Sequence, residues 1–302
     1  MCIQIPCFNE EKTLPITLQN IPTHIEGVTD LKVVVIDDGS SDGTVHVAKN
    51  FPHVSVFSMK RHRGLAKTFS WGIQQCLNMN ADLIVNLDAD NQYKTSCISK
   101  LIAPIIEGRA DIVLGARNFS KQSKIPPIKK LFQISGSRIV SKLCRISIPD
   151  AATGFRAFSR EAAKRIHVFT RYTYTMETLV QAAYYGMRIH SVPIETNDPL
   201  RPSRLIRHPI IYVVRNAGAL VRLIILYNSL RVFSWIALST FFSAFILGWI
   251  LSVQLGFWIF AFSMLIFLTG IVLDQISVNR RLLETIIFHS KGSEGDREIP
   301  VP

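Results

Sequence analysis

The chain has 302 residues, room for one sizeable α/β domain and an appendage. Its mean hydropathy of +0.24 is high for a purely soluble protein, and 34 Lys and Arg against 22 Asp and Glu give a net charge of +12. No recognised nucleic-acid-binding motif accompanies the arginines, so nucleic acid is excluded as the partner of this charge in favour of the membrane surface. The five cysteines are odd in number and scattered, without CxxC or zinc spacing, and read as reduced thiols.

From the N-terminus, Met1 is followed almost directly by a strand, with no signal-peptide pattern. The first 200 residues alternate short β-rich runs with helical stretches, the pattern of a mostly parallel sheet covered by helices. Strands are predicted at Cys2–Ile5, Lys32–Ile36, Val54–Ser58, Leu83–Leu87, Ile112–Ala116 and around Arg188–Pro193. Lys32–Ile36 and Leu83–Leu87 are nearly unbroken apolar runs, as strands buried on both faces require. Helices are predicted at Glu10–Asn20, Gly43–Asn50, Leu65–Met79, Ser96–Glu107, Lys129–Cys144 and Tyr174–Tyr185.

Three strand ends carry polar clusters, and open α/β sheets bind ligands beyond the carboxyl ends of their strands. The first is Ile5-Pro6-Cys7-Phe8-Asn9-Glu10-Glu11, which alone reads as a helix start capped by Asn9. The second is Ile36-Asp37-Asp38-Gly39-Ser40-Ser41-Asp42-Gly43-Thr44. A capped turn explains Ser41, Asp42 and Gly43 but not the adjacent Asp37 and Asp38, which can accept hydrogen bonds from a nucleobase or a ribose. The third is Leu87-Asp88-Ala89-Asp90-Asn91-Gln92. Two carboxylates one residue apart repel unless a cation sits beside them, and a hard ion such as Mg²⁺ or Mn²⁺ takes oxygen ligands and shares them with phosphates. Taken singly, this loop also reads as an ordinary solvated acidic turn.

After Pro199 the composition changes. No acidic residue occurs between Asp198 and Asp274, while Arg201, Arg204, Arg207, Arg215, Arg222 and Arg231 do. Arg215 and Arg222 share a helix face, which predicts an amphipathic segment at the membrane surface over 201–231. From Val232 to Leu273 run 42 residues without Asp, Glu, Lys, Arg or His. A bilayer core takes roughly 20 helical residues, so two crossings are predicted, at 232–252 and 256–274, turning near Ser252, Gln254 and Gly256. Arg280 and Arg281 follow, and arginine at both outer ends places the first domain and both termini in the cytoplasm. Residues 275–302 form a cytoplasmic tail, polar and unstructured from Ser290. Apolar hairpins commonly pack against copies of themselves, which leaves a homo-oligomer open.

Together, P-C-F-N-E-E, V-I-D-D-G-S-S-D-G-T and L-D-A-D-N-Q, in this order and each after a strand, resemble the family 2 glycosyltransferases of the GT-A fold. Asp150-Ala151-Ala152-Thr153-Gly154-Phe155-Arg156 resembles the D-x-x-S/T-G-F-R segment of the dolichol- and polyprenyl-phosphate sugar synthases within that family. The resemblance covers about the first 200 residues and implies a GT-A domain there. It implies donor contacts from Pro6, Phe8, Glu10, Asp37 and Asp38 to the nucleoside, with Asn9 in the same loop. It implies that Asp88, Ala89, Asp90 and Gln92 hold the donor diphosphate and a Mg²⁺ or Mn²⁺ ion, the metal through Asp88, Asp90 and Gln92. Arg117 matches an arginine near the acceptor phosphate, and Lys129 and Arg201 fall at further basic contacts, a role suited to guanidinium groups. Two departures stand out: His62-Arg63-Gly64 replaces an Asn-x-Gly loop, and no acidic residue separates Gly154 from Phe155.

The implied reaction is inverting attack by a polyprenyl phosphate on the anomeric carbon of a UDP- or GDP-linked sugar at the cytoplasmic membrane face. The acceptor is already ionised, so alignment and leaving-group stabilisation outweigh base catalysis. With a hydroxyl acceptor, such as diacylglycerol or ceramide, a base matters more. Asp150 is then the first candidate, a structural role for it standing equally open, and Glu177, a lone acid on a predicted helix, reads more readily as surface. A reading from another class is a non-catalytic membrane scaffold, against which Asp88, Asp90 and Gln92 speak.

Overall fold

The computed structural model describes residues 1–117, 127–168, 174–198 and 209–295. Its contacts divide the chain into two units, Met1–Ala219 and Leu220–Pro302.

In the first unit, seven strands make one sheet: β1 (Cys2–Cys7), β2 (Lys32–Asp37), β3 (Val54–Ser58), β4 (Leu83–Asn86), β5 (Ile112–Arg117), β6 (Arg156–Ser159) and β7 (Ile189–Ile194), in the order β3-β2-β1-β4-β6-β5-β7. All neighbours run parallel except β6, which lies antiparallel to both β4 and β5, with Ala157 opposite Val85 on one side and Val113 on the other. Every residue of β1 and β4 is buried, as are the last five of β2, because helices cover both faces. The core gathers Ile3, Ile5, Val33, Val35, Val85, Leu87, Val113 and Phe155.

The helices of this unit are α1 (Leu14–Gln19), α2 (Thr44–Lys49), α3 (Leu65–Asn78), α4 (Ile98–Ile106, entered through a 3₁₀ turn at Thr95–Cys97), α5 (Pro127–Cys144), α6 (Arg160–Arg165) and α7 (Tyr174–Tyr184). The first predicted helix begins four residues late. Asn9 sits at φ 55°, outside the helical region, and Pro15, suited to a first turn, stands at the true start. Asn9 is therefore no helix cap. Strand β6 and helix α6 were absent from the predicted elements. Ser159 joins them, its hydroxyl accepting from Ala162 N at 3.2 Å.

Glycine is required at one core contact. A Cβ on Gly72 in α3 would lie 2.1 Å from Gln4 Oε1 and 2.9 Å from Ile36. Gln4 needs that space to reach Asn86, donating from Nε2 to Oδ1 at 3.0 Å in the buried centre of the sheet. All five cysteines are free and buried.

Two long helices carry the remainder of the chain. Helix α8 (Pro209–Ile250) has one non-helical residue, Asn228, at φ −141° and ψ 31°, and α9 spans Val253–Gly295. Val221–Ile250 and Val253–Arg280 are long and apolar enough to cross a membrane, with mean hydropathies of 1.7 and 2.3. Their large side chains face outward, Trp249 being 87% exposed, an arrangement that suits lipid rather than water as the surrounding medium. The chain turns at Leu251 and Ser252, so Gln254 and Gly256 are already helical. Gly256 is placed by packing rather than turning, since a Cβ there would lie 2.7 Å from the Cα of Gly248. Across the hairpin, Ser263 donates to Ala237 O at 2.6 Å and Ser229 to Asp274 at 3.3 Å. Helix α9 also runs past Ser290, into the segment expected to be unstructured.

Candidate active site

The loops after β1 and β2 are laced together. Asn9 N donates to Ser40 Oγ and Asn9 Oδ1 accepts from Ser41 N, both at 2.8 Å. Glu10 N donates to Thr44 Oγ1 at 2.8 Å, and Glu11 Oε2 accepts from Gly43 N at 3.0 Å. The Glu10 carboxylate accepts from the Thr13 hydroxyl at 2.6 Å, and Pro6 is buried in β1 opposite Ile36. So the polar residues of the first motif, which look like capping chemistry, instead hold one loop against the next.

Asp37 and Asp38 are both buried, and both carboxylates are engaged by the protein. Asp37 accepts from Ser40 N at 3.1 Å and from Ser58 Oγ at 2.5 Å. Asp38 accepts from Arg63 N at 2.7 Å and Gly64 N at 2.8 Å, and His62 Nδ1 lies 2.8 Å from its Oδ2. The His62 ring stacks on Phe8 with centroids 4.0 Å apart. Asp42 accepts from Thr44 N at 3.0 Å and Thr44 Oγ1 at 2.5 Å. Burial raises its carboxyl, and the Thr44 and Glu11 hydrogen bonds outweigh this and hold it below the usual range.

At the end of β4, Ala89 is fixed by its carbonyl, which accepts from Thr17 Oγ1 at 3.0 Å, and Asp90 accepts from Gln92 N at 3.1 Å. Asp88 is partly buried, and a hydrogen bond from the Tyr93 phenol reaches it. Burial pushes the Asp88 carboxyl up to about 7, and the neighbouring Asp90 charge adds to this against the opposing fields of Arg117 and Arg156. Gly154 backs directly onto this group: a Cβ there would stand 2.7 Å from both Asp88 oxygens. Gly154 N in turn donates to Tyr93 Oη at 3.2 Å, and the Tyr93 ring stacks on Phe155 at 5.1 Å. Asn86 closes the arrangement, its Nδ2 donating to Gly154 O at 2.8 Å and to Tyr174 Oη at 3.3 Å.

Arg117, the last residue of β5, forks onto Asp150, with Nε at 2.7 Å from Oδ2 and Nη2 at 3.0 Å from Oδ1. The pair is nearly dry, at 8% and 0% side-chain exposure. Burial works against the guanidinium charge, but Tyr93, Asp150 and Asp88 outweigh it and raise Arg117 further. Its Nη1 also reaches Gln92 Oε1 at 3.5 Å, so Gln92, Arg117 and Asp150 form one chain. Arg156 is fully buried and donates to the carbonyls of Thr153 (2.9 Å), Thr175 (2.6 Å) and Ala151 (2.8 Å) and to Thr178 Oγ1 (2.8 Å). Burial lowers it to about 10, so it stays charged at neutral pH.

Glu177, expected at the surface, is fully buried in α7. The side chain of Lys129 and all of Arg201 lie outside the described residues. Tyr93, Gly154, His62 and Arg156 were not singled out as site residues, although Gly154 and Arg156 stood in a quoted motif and His62 in a noted departure.

Asp88 and Asp90 give two carboxylates, one residue apart. Among the described residues no group of three or more His, Cys, Asp and Glu could hold a metal unaided. A donor set this small fits an ion that takes most of its oxygens from a bound diphosphate and water, as Mg²⁺ and Mn²⁺ do, and does not fit one caged by protein alone.

A mostly parallel sheet with one reversed strand, its acidic loops collected at the carboxyl ends of β2 and β4, defines a GT-A-type transferase. The sequence profile of Glycosyl transferase family 2 matches residues 2–167, and the chain belongs to that family. It is 29% identical over 213 residues to the UDP-N-acetylglucosamine–dolichyl-phosphate N-acetylglucosaminyltransferase of Methanococcus voltae, covering 64% of this chain and 83% of that one. It is 27% identical over 201 residues to the undecaprenyl-phosphate mannosyltransferase of Micrococcus luteus, covering 63% and 80%. In fold it is similar to glucosyl-3-phosphoglycerate synthase of Mycobacterium tuberculosis, solved with Mn²⁺, UDP and glucosyl-3-phosphoglycerate, with a TM-score of 0.53 at 18% identity over 72% of this chain and 79% of that one. The protein is thus a family 2 glycosyltransferase related to the polyprenyl-phosphate sugar transferases.

Proposed function

We propose that the protein moves a sugar, with inversion, from a UDP- or GDP-linked donor to a polyprenyl phosphate at the cytoplasmic membrane face, with Mg²⁺ or Mn²⁺ as cofactor. The observation that carries this reading is the Asp88–Asp90 pair beside the buried Arg117–Asp150 fork: carboxylates for a metal diphosphate, and a guanidinium for an acceptor anion. The names of the relatives, one acting on dolichyl and one on undecaprenyl phosphate, and the two apolar helices support a lipid acceptor.

When bound, the ion would be held by Asp88, Asp90 and Gln92 and would neutralise charge on the departing diphosphate. The residues of the chain supply alignment. Tyr93 and the Gly154 backbone fix Asp88 from behind, and Gln92 connects the acidic loop to Arg117. Asp150 is a positioning residue in this scheme, its carboxylate committed to Arg117. A phosphate acceptor needs no proton removed near neutral pH, so a base is not called for. Lys129 and Arg201 are assigned as further phosphate contacts, Phe8, Asn9, Glu10 and the Asp37–Asp38 loop as the donor nucleoside site. Residues 1–200 are taken as the catalytic domain, 201–231 as the juxtamembrane segment, 232–274 as the membrane hairpin and 275–302 as a cytoplasmic tail.

The test is transfer by the full chain in detergent from radiolabelled UDP- and GDP-sugars, with Mn²⁺ or Mg²⁺, to polyprenyl phosphate and diacylglycerol in competition. Label is expected in the polyprenyl product, with a loss of at least about 10²-fold in Asp90→Ala and on chelation. Label in diacylglycerol, or full activity in Asp90→Ala, would overturn the assignment.

A further inference from the structure

We infer that Asn197 and Asn20, which grip the acidic loop from two distant parts of the chain, are positioning residues that set how tightly the protein takes its divalent ion with the donor diphosphate. This rests on the metal-diphosphate reading above and adds to it two residues outside the acidic motif.

The centre of the grip is Asn91, which stands between Asp90 and Gln92 and is buried. Its φ of 56° lies in the left-handed region, a backbone state that asparagine tolerates better than most residues but still at a cost. A turn of this kind needs holding. Within the loop, Gln92 N donates to Asp90 Oδ1 at 3.1 Å, and further bonds arrive from elsewhere in the chain. Asn197, three residues beyond β7, donates from Nδ2 to Asn91 O at 2.9 Å and from its backbone N to Gln92 O at 2.8 Å. Asn20, the residue that ends α1, donates from Nδ2 to Asn91 Oδ1 at 3.2 Å. Just past the loop, Tyr93 and Thr196 pair as an antiparallel bridge, and Lys94 N donates to Glu195 O at 3.3 Å.

The chemistry of the gripping groups matters as much as their place. An arginine or lysine at position 197 or 20 would draw the loop's carboxylates to itself, and an aspartate would add a further negative charge beside them. A neutral amide donates to the Asn91 carbonyl and side chain and leaves Asp88 and Asp90 to the ion. The bonds are also made to the residue that separates Asp90 from Gln92, so they fix the direction in which the two side chains leave the turn. Without them, each binding event has to rebuild the turn, and that ordering cost is subtracted from the binding free energy. The loss is therefore expected in affinity for the ion rather than in the rate once the ion is bound.

The test uses the full chain in detergent with Mn²⁺ and either UDP or GDP, as wild type, Asn197→Ala, Asn20→Ala and the double variant. Bound Mn²⁺ is read from the loss of the free-ion signal in electron paramagnetic resonance, and amide hydrogen exchange over 90–97 is followed before metal is added. Asn197→Ala is expected to weaken Mn²⁺ binding about fivefold, the equivalent of one net hydrogen bond, and to speed exchange in the metal-free protein. Asn20→Ala is expected to act in the same direction, and the double variant to bind more weakly than either. In transfer assays the Mn²⁺ concentration for half-maximal rate should rise with the loss of affinity, and saturating Mn²⁺ should restore the wild-type rate. Lys94→Ala cuts the exposed ion pair to Glu195 at 2.6 Å in the same junction and is expected to leave Mn²⁺ binding unchanged. Melting temperatures establish that each variant is folded. Wild-type Mn²⁺ affinity in both Asn197→Ala and the double variant, a rate that saturating Mn²⁺ does not restore, or an equal weakening by Lys94→Ala would overturn the inference while the metal reading stands. No Mn²⁺ binding by wild type with either nucleotide would overturn both.

Discussion

Replacing Arg156 by alanine should destabilise the catalytic unit more than any change to a residue that touches substrate. The guanidinium makes four hydrogen bonds in a fully buried setting. When it is removed, Thr175 O keeps a bond from Thr178 Oγ1 at 3.2 Å, but the carbonyls of Ala151 and Thr153 lose theirs. Each orphaned buried carbonyl costs about 1–3 kcal/mol, and the vacated volume adds a cavity term. Against this stands the relief of no longer burying a charge, visible in the lowering of Arg156 to about 10. The net expectation is about 3–5 kcal/mol, the range for breaking a buried charged cluster. For a domain of this size that is a fall of roughly 6–20 °C in melting temperature. Arg156→Lys should recover little, because one ammonium cannot reach three carbonyls lying in different directions. Thermal melts of the full chain in detergent give the magnitude, and hydrogen exchange over 151–156 and 174–178 gives the location. Wild-type melting in Arg156→Ala, or exchange unchanged in both segments, would refute the reasoning that this guanidinium holds the segments 151–156 and 174–178 together.

Gly154→Ala should leave melting almost unchanged yet lower transfer by about 10²-fold, since the new methyl lands 2.7 Å from both Asp88 oxygens and an ångström of misplacement costs about that much; normal turnover would contradict it. Gly72→Ala should instead act on stability, costing about 1–3 kcal/mol in a denaturant titration, because its Cβ would meet Gln4 Oε1 at 2.1 Å. Asp42 has a lowered carboxyl, so its contribution is complete above the ordinary aspartate value of about 3.9 and drains away as pH falls through the lowered one. Asp42→Asn should therefore be less stable than wild type at neutral pH, with the gap closing in acid; a gap that widens on acidification has the wrong sign.

The parallel strands were legible because burial on both faces leaves an apolar run, and Val33 to Ile36 and Leu83 to Val85 carry that mark with no polar interruption. The reversed strand was not. Arg156–Ser159 has four residues and opens on an arginine, and a charged residue at a sheet centre looks like a loop until its four partners are seen. The acidic strand ends were legible as clusters, but the direction of their bonds was not. Asn9 next to two glutamates has the composition of a helix cap, and its partners Ser40 and Ser41 lie about thirty residues away. Glu177 shows the same limit: a single acid among apolar helical residues fits a solvated face as well as the buried one it occupies. Gly154 stood in a motif, but its purpose was not legible there, because what requires it is a side chain 66 positions earlier, Asp88.

That fit between Asp88 and Gly154 bears on how such enzymes can be recombined. The acidic loop and the segment entering β6 are far apart in the chain but were shaped as one mould, Tyr93 resting on Phe155 and Asp88 on bare backbone. A chimaera joined anywhere between residues 94 and 149 takes the two halves of the mould from different parents. The loops after β1 and β2, sewn together by Asn9, Glu10 and Glu11, form a second such cassette. On the proposed assignment of this cassette to the donor nucleoside, moving residues 1–64 as a block is the way to exchange donor preference with the mould left whole.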